Sequence, residues 1–389
     1  MNKSTITNSL ILLPLYWLFS GMLIMGGGDK PMVAMVIISI VATVLTYGSK
    51  TLKENLRSDK VLWVLLAITL YAIFSYLYHG LSSREIRGVL TATLLLTVLP
   101  RHLITSKILL ILILLGSISS LGTAYYNGIY LDLPRGAWPI NAIPQATLSA
   151  IIALLAFCLS QKFTGKMRGV ALLSFMLGTI AVVLSQTRGI WLAYSCTLLI
   201  LIFLHARHLV LNKKVILISI AAIFSTGFLF KPIIEHRVKQ TQYELNKITS
   251  GNLNTSIGLR LQMWKISSKI VADNWVLGTG DEHKARFDLL AEQGEVSAYF
   301  VKHRPPHYHN QYIDRYIKNG VVGLALLLAL LITPIVITKG RSSSVNSLCL
   351  VITIASLTDT PLNHAQTILM FTVLITLLTS ITISTKNYD

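Results

Sequence analysis

Long apolar runs separated by short polar breaks dominate the chain. They predict twelve spanning segments, near residues 8–26, 31–48, 61–79, 86–100, 108–125, 146–161, 170–185, 190–206, 215–230, 316–338, 346–358 and 367–384. Crossing about 30 Å of hydrocarbon takes ~20 helical residues, so the shorter runs need their flanks to complete them or lie partly buried in the bundle. Helices are the default, because a run this apolar must satisfy its backbone hydrogen bonds internally. The alternation of a membrane β-barrel is absent from the sequence. The pattern therefore predicts an all-α polytopic membrane protein of about 12 transmembrane helices, interrupted by one long hydrophilic segment at 231–315. Nine helices fall within 1–230, and three helices and a short tail within 316–389. The long segment carries helical patterns of its own. In 256–271, Leu259, Met263, Ile266 and Ile270 recur at helical spacing behind Ser256, a cap candidate. A further helix is expected to start near His309 and to run into the tenth span, with Tyr312, Ile313, Tyr316 and Ile317 on one side.

Composition closes off the soluble alternatives. Of 389 residues, 53% are hydrophobic and 13% charged, with mean hydropathy +0.63. A soluble domain has about 25% charged residues. The net charge of +18, from 34 Lys+Arg against 16 Asp+Glu, would suggest nucleic acid in a soluble chain. Here the basic residues sit largely between apolar runs, where they set orientation, and no nucleic-acid partner is expected. One set of alternate loops holds fourteen: Lys50, Lys53, Arg57, Lys60, Arg101, Lys107, Lys162, Lys166, Arg168, Arg207, Lys213, Lys214, Lys339 and Arg341. The other short loops hold five: Lys30, Arg84, Arg87, Arg135 and Arg188. The first set belongs in the cytoplasm, which puts both termini there and 231–315 on the outer face. That segment holds five of the ten histidines and nine of the acids. Cys158, Cys196 and Cys349 lie inside apolar runs and read as small hydrophobes. The first apolar run lacks a small-residue cleavage site and reads as a retained span.

Familiar catalytic motifs are missing. The sequence has no Walker A loop, HExxH or Asp-x-Asp pair, and Asp281–Glu282 stands without further ligand spacing, so no nucleotide, metal or cofactor is expected. A diphosphate substrate would have to be neutralised by arginine or lysine. Arg188, in Ser185-Gln186-Thr187-Arg188-Gly189, sits at a short break between two spans. An arginine at membrane depth costs roughly 2.5–3.5 kcal/mol and normally faces a cavity or a partner, unless it snorkels to the headgroups. Arg260 lies early in the 256–271 helix, where helix amides and a guanidinium can share an anion, or where it is part of a solvated face. His309, in His307-Tyr308-His309-Asn310, follows Arg304-Pro305-Pro306, which keeps helix from starting earlier. A helix N-terminus disfavours imidazolium, so His309 is the expected general base; a polar cap is the plainer reading, and His307 is a rival. Two histidines two apart also suggest metal, but the sequence shows no third ligand. Asp359 is one of few acids near membrane depth and would orient a base, pair with an arginine, or end a helix. Arg84, Arg87 and Arg135 add to a basic outer lining or meet lipid phosphates; Tyr125, Tyr126, Tyr130 and Trp138 read as interfacial aromatics.

Together, Gln186-Thr187-Arg188-Gly189, Arg260 with Trp264, Gly278-Thr279-Gly280 and His309-Asn310 before the next span make the chain resemble the O-antigen ligase family, within the wider group of O-antigen ligases and polymerases. The resemblance implies a fold like that of membrane-embedded (GT-C type) glycosyltransferases in the bacterial inner membrane, with the large segment in the periplasm. It implies transfer of O-antigen from undecaprenyl diphosphate to a sugar hydroxyl of lipid A–core oligosaccharide, without metal and with inversion. Arg188, Arg260 and His309 would then be catalytic, and Gln186, Trp264, His307, Asn310, Arg304 and Arg135 would bind substrate. An O-antigen polymerase would share the donor site and differ in its acceptor. A lipid-linked glycan transporter would show inverted repeats, and none is visible in the sequence.

Overall fold

The computed structural model describes residues 3–80, 83–206, 212–271, 274–304 and 306–386. Arg207 of the orientation count and Pro305 of the diproline lie outside these described residues. Every apolar segment expected from the sequence contains a helix: Lys3–Leu18 with Gly21–Ile24, Asp29–Tyr47, Lys60–His79, Ser83–Val98, Ser106–Tyr125, Ala142–Lys162, Gly165–Leu184, Arg188–Ala206, Lys213–Leu229, Gln311–Ile337, Ser343–Ala355 and Ala365–Lys386. Among the described residues, 8 of these are long and apolar enough to cross a membrane unaided. A ninth is possible where Lys213–Leu229 bends by 77° into Lys231–Thr249. Ser83–Val98 and Ser343–Ala355 are shorter than the ~20 residues a span needs, as expected of the shorter candidate segments.

The loops nevertheless sort to two ends of the bundle. One end gathers Lys50–Ser58, Arg101, His102 and Ser380 around one cavity, and Gln161 to Asn212 and Ser342 to Thr382 are tied in pairs by hydrogen bonds. The other gathers Gly26, Arg84, Trp138–Pro144, Asp281–Lys284, Pro306–His307 and Thr360–Gln366. These are the two alternating loop sets of the charge count.

Ala142–Lys162 is the innermost helix, with 94% of its apolar window buried. Its Ala146, Ala150, Ala153 and Ser149 let neighbours approach closely. A Cβ at Gly178 of the next helix would come within 2.9 Å of the Ala153 Cβ, so the contact admits only glycine. By contrast Leu217, Phe224 and Phe228 on Lys213–Leu229 are exposed, as a lipid-facing helix requires.

In the hydrophilic segment Ser256–Val271, His283–Glu292 and Ala298–Lys302 pack around a small core that includes Met263, Ile266, Ile270, Phe287, Phe300 and Tyr308, and Lys231–Thr249 is tied to Ser256–Val271 through Glu244, which accepts from Ile257 N at 3.0 Å. The apolar spacing of 256–271 is thus its buried face. Its cap is Thr255 rather than Ser256: Thr255 Oγ1 accepts from Gly258 N at 3.0 Å. Gln311–Ile337 crosses the expected boundary at 315/316 and is broken at Gly320, whose φ of 63° suits glycine. The break admits the Gly278-Thr279-Gly280 loop: Thr279 N and Oγ1 both donate to the carbonyl that Gly320 leaves available at Ile317, at 2.8 and 3.0 Å. A Cβ at Gly278 would lie 2.5 Å from Asn319 N. This glycine-rich loop therefore locks the hydrophilic segment to the membrane helix. Trp138 is buried, with Nε1 donating to Leu133 O at 3.1 Å, and so is not an interfacial residue; Tyr125, Tyr126 and Tyr130 are exposed.

Candidate functional site

Asp359 organises the site. It lies in the polar break between Ser343–Ala355 and Ala365–Lys386, with only 4% of its side chain exposed. Oδ1 accepts from Thr360 N at 2.8 Å and lies 3.4 Å from His309 Nδ1 and 3.8 Å from His307 Nε2. Oδ2 lies 3.6 Å from Arg260 Nη2. Burial alone would raise this carboxyl, but contact with His309 and the charges of Arg260 and His307 outweigh it and hold it low, at about 2. The carboxylate is thus ionised throughout the physiological range.

The histidines reach Asp359 through local backbone geometry. Asn310 caps Gln311–Ile337, its Oδ1 accepting from Tyr312 N and Ile313 N at 3.0 and 3.1 Å. His309, one residue earlier, takes a left-handed conformation with φ 46°, which a polar residue in a turn tolerates at some cost. The two imidazoles lie 4.4 Å apart between centroids, tilted by 57° to one another. Trp264 pins the same loop from the other side, with Nε1 donating to Tyr308 O at 3.0 Å. Burial pushes His307 down to about 4, and neighbouring His309 pushes the same way, so His307 is a neutral proton acceptor at neutral pH. His307 Nε2 and His309 Nδ1 are buried without a hydrogen-bond partner.

Four guanidiniums converge beside this group. Arg188 starts Arg188–Ala206; Nη2 meets Glu244 Oε1 at 2.8 Å and Nη1 donates to Thr241 Oγ1 at 3.0 Å. Arg135 donates to Ser185 O at 3.0 Å and to Thr187 Oγ1 at 2.8 Å, bracketing Gln186, which has φ 54°. Arg237 donates to Gln240 Oε1. Burial lowers Arg135 to about 10, with Arg237, Arg188 and Arg260 adding to the effect. Burial likewise lowers Arg260, against the pull of Asp359. Among the described residues, two carboxylates, Glu244 and Asp359, answer these four charges directly. The excess suits a polyanion such as a diphosphate.

His307, His309 and Asp359 also form the third-ligand set that the sequence did not reveal, with ligand atoms within 4.8 Å of one another. Two imidazoles and a carboxylate have the composition of a divalent-metal site. The surrounding charge opposes one: Arg260 holds Oδ2, and Arg135 and Arg188 act on Arg260 or on the same locality.

Of the residues singled out from the sequence, the structure thus brings together Arg188, Arg260, Arg135, Gln186, His307, His309, Asn310 and Trp264. Arg304 lines a small pocket with His307 and Tyr308, and its guanidinium is held on Asp288 at 2.7 Å and over the Phe287 ring at 5.1 Å. Arg87 is closed on Asp29 at 2.9 Å. Arg237, Thr241 and Glu244 were missed. Their spacing along Lys231–Thr249 puts them on one helix face, a polar stripe readable from sequence once that helix is assumed.

The family described as O-antigen ligase matches residues 171–328, which include Arg188, Arg237, Glu244, Arg260, His307 and His309 but neither Arg135 nor Asp359. A Haemophilus influenzae protein described only as uncharacterized is 28% identical over 203 residues, covering 50% of this chain and 48% of the relative. The chain spans about half the length of the curated relative it matches.

Proposed function

We propose that this chain, which belongs to the O-antigen ligase family through residues 171–328, is a glycosyltransferase of the periplasmic face of the bacterial inner membrane. It transfers O-antigen polysaccharide from undecaprenyl diphosphate to a sugar hydroxyl of lipid A–core oligosaccharide. One observation carries the reading: four arginines crowd a buried carboxylate–histidine pair at one end of an apolar helical bundle. That combination fits a donor with a lipid tail and an anionic leaving group.

The chemistry follows from the charges. The acceptor oxygen attacks the anomeric carbon while the bond from that carbon to the diphosphate oxygen breaks, and the electron pair leaves with the diphosphate. Negative charge grows on the leaving group, where Arg188 and Arg260 stabilise it; donors of this kind contribute about 10²–10³-fold each. The hydroxyl proton passes to the His307–His309 pair, and Asp359 holds the resulting imidazolium. A single displacement inverts the anomeric centre. The activated donor supplies the driving force, so no nucleotide is consumed.

The test is reconstitution of the full chain in liposomes with undecaprenyl-diphosphate-linked O-antigen and lipid A–core, with and without chelator. Ligated product is expected in both arms, and at least 100-fold less of it from Arg188→Ala and from Arg260→Ala. Arg260→Lys should also fail, because an ammonium lacks the forked geometry of a guanidinium. Polymerisation of the donor without transfer to lipid A–core would reassign the chain to the polymerases. Loss of product on chelation would replace the arginine mechanism with a metal at His307, His309 and Asp359.

A further inference from the structure

A second guanidinium with unused hydrogen bonds lies at the opposite end of the bundle, where the basic loops gather. A cavity of about 530 Å³ is walled there by Lys50–Ser58, the Arg101–Leu103 turn and the end of Ala365–Lys386. No residue of the transferase site lines it. Arg101 does, with 19% of its side chain exposed. Its Nη2 is spent on Asp59 Oδ2 at 3.1 Å and on Leu96 O at 3.0 Å. Its Nε and Nη1 are buried without a hydrogen-bond partner. Among the described residues, no other arginine leaves two buried nitrogens in that state; Arg237 and Arg260, in the cluster that suits a diphosphate, leave one each.

The rest of the wall does not supply the missing acceptors. Glu54 is its one acid among the described residues, and stands 3.9 Å from Lys50 in a pair that is mostly exposed and so screened by solvent. Asp59, behind the wall, already accepts from Val61 N, Leu62 N, Arg101 and Ser380. Asn55 is spent on the end of Ser83–Val98, donating to Leu96 O, Thr97 O and Leu99 O. Lys50 and Arg101 are balanced in formal charge by Glu54 and Asp59, so a preference for anions comes from the idle N–H donors rather than from net field. Guanidinium donors match the oxygens of a phosphate, and Lys50, Thr51 and Ser58 add an ammonium and hydroxyls from the same helix. Ile104 and Ile381 make the remaining wall apolar, as suits an amphiphile. Lys53 and Arg57 stand at exposed positions of Lys50–Ser58, and basic segments at a membrane surface gather anionic lipid.

We propose that this cavity binds a phosphate group, and that the group is the headgroup of an anionic phospholipid in the adjacent leaflet. Arg101 is the anchor, held in place by Asp59 through Nη2 while Nε and Nη1 serve the ligand. The occupied cavity braces three elements that meet only at this end. The assignment holds whatever glycan the other end transfers.

The full chain in phosphatidylcholine vesicles, with and without phosphatidylglycerol, provides the test. Phosphatidylglycerol should raise the thermal midpoint and should be retained by the extracted protein, as read from its intact mass. Ser58→Trp fills the cavity from an exposed position without changing any charge. It should weaken phosphatidylglycerol binding at least ten-fold and leave glycan transfer in phosphatidylcholine unchanged. Arg101→Lys keeps a cation for Asp59 and loses the spare donors, and should also weaken binding at least ten-fold. If that variant does not fold, Ser58→Trp still decides. Equal binding by Ser58→Trp and wild type overturns the cavity, because diffuse attraction to the basic loops would survive the filler. A midpoint raised by inorganic phosphate, and raised no further by phosphatidylglycerol, keeps the phosphate site and overturns the lipid as its source. A wild-type midpoint that answers to neither overturns the site.

Discussion

Each end of the bundle buries an aspartate beside an arginine, and the two are built differently. At the basic-loop end, Asp59 is saturated. Oδ1 accepts from Val61 N and Leu62 N at 3.0 and 3.2 Å; Oδ2 accepts from Arg101 at 3.1 Å and from Ser380 at 3.1 Å. The acid caps Lys60–His79 and ties three elements together. At the other end, Asp359 has one short bond, to Thr360 N, while Arg260 and the two imidazoles stand off at 3.4 to 3.8 Å, with Arg260 Nε, His307 Nε2 and His309 Nδ1 unpartnered. A buried polar group left unsatisfied costs about 1–3 kcal/mol. We propose that the difference separates an acid that holds the bundle from one whose set a ligand completes.

The sharpest way to break that contrast is to neutralise each acid in turn. Asp359→Asn keeps the shape and removes the charge that balances Arg260 and the imidazoles. Transfer by the reconstituted protein should fall by at least 10³-fold, with the thermal midpoint little changed. Asp59→Asn should do the reverse: removing one partner of a buried pair costs roughly 3–5 kcal/mol, so the yield of folded protein drops while kcat of what folds is retained. Near-normal transfer by Asp359→Asn would end the distinction.

Glu244 sharpens the comparison, because it combines both styles. Oε1 holds Arg188 at 2.8 Å, and Oε2 accepts from Ile257 N at 3.0 Å, at the start of the helix that carries Arg260. One carboxylate thereby sets the spacing of two arginines from different elements. Glu244→Gln keeps a carbonyl acceptor and loses the charge. We expect a roughly ten-fold rise in donor KM with acceptor KM unchanged, consistent with a loss of about 1.4 kcal/mol in donor binding. A fall in kcat and in both KM values together would mean that Glu244 is needed for folding of the segment and not for arginine spacing.

How much of this was legible in the sequence depends on the range of the interaction. Hydrophobic period located every apolar helix and the buried face of 256–271, because burial in lipid or in a small core acts residue by residue. Arg188, Arg260 and His309 stood out because a lone charge or a histidine at a span boundary needs a reason. Asp359 joining two histidines fifty residues earlier did not, since nothing local encodes a contact of that separation. Cap identity was off by one residue at Thr255, where two adjacent hydroxyl side chains offer the same chemistry and only the backbone turn decides. Trp138 misled because an aromatic at a span end reads as interfacial until packing shows it covered.

Arg304 should give the smallest effect. The family resemblance implies that it binds substrate. In the structure its Nη1 meets Asp288 at 2.7 Å and its Nη2 donates to Lys284 O at 2.6 Å. Those contacts join the turn after Ala298–Lys302 to His283–Glu292. Asp288 is half exposed, so the pair belongs to the class worth about 0–1 kcal/mol. The ring contact with Phe287 adds about 0.5–1 kcal/mol at an exposed site. Arg304→Ala should therefore lower the thermal midpoint slightly and change transfer less than three-fold. Activity measured beside Arg260→Ala decides the matter: a loss of the same order would move Arg304 from scaffold to substrate contact, and would mean that the loop swings towards the arginine cleft when donor binds.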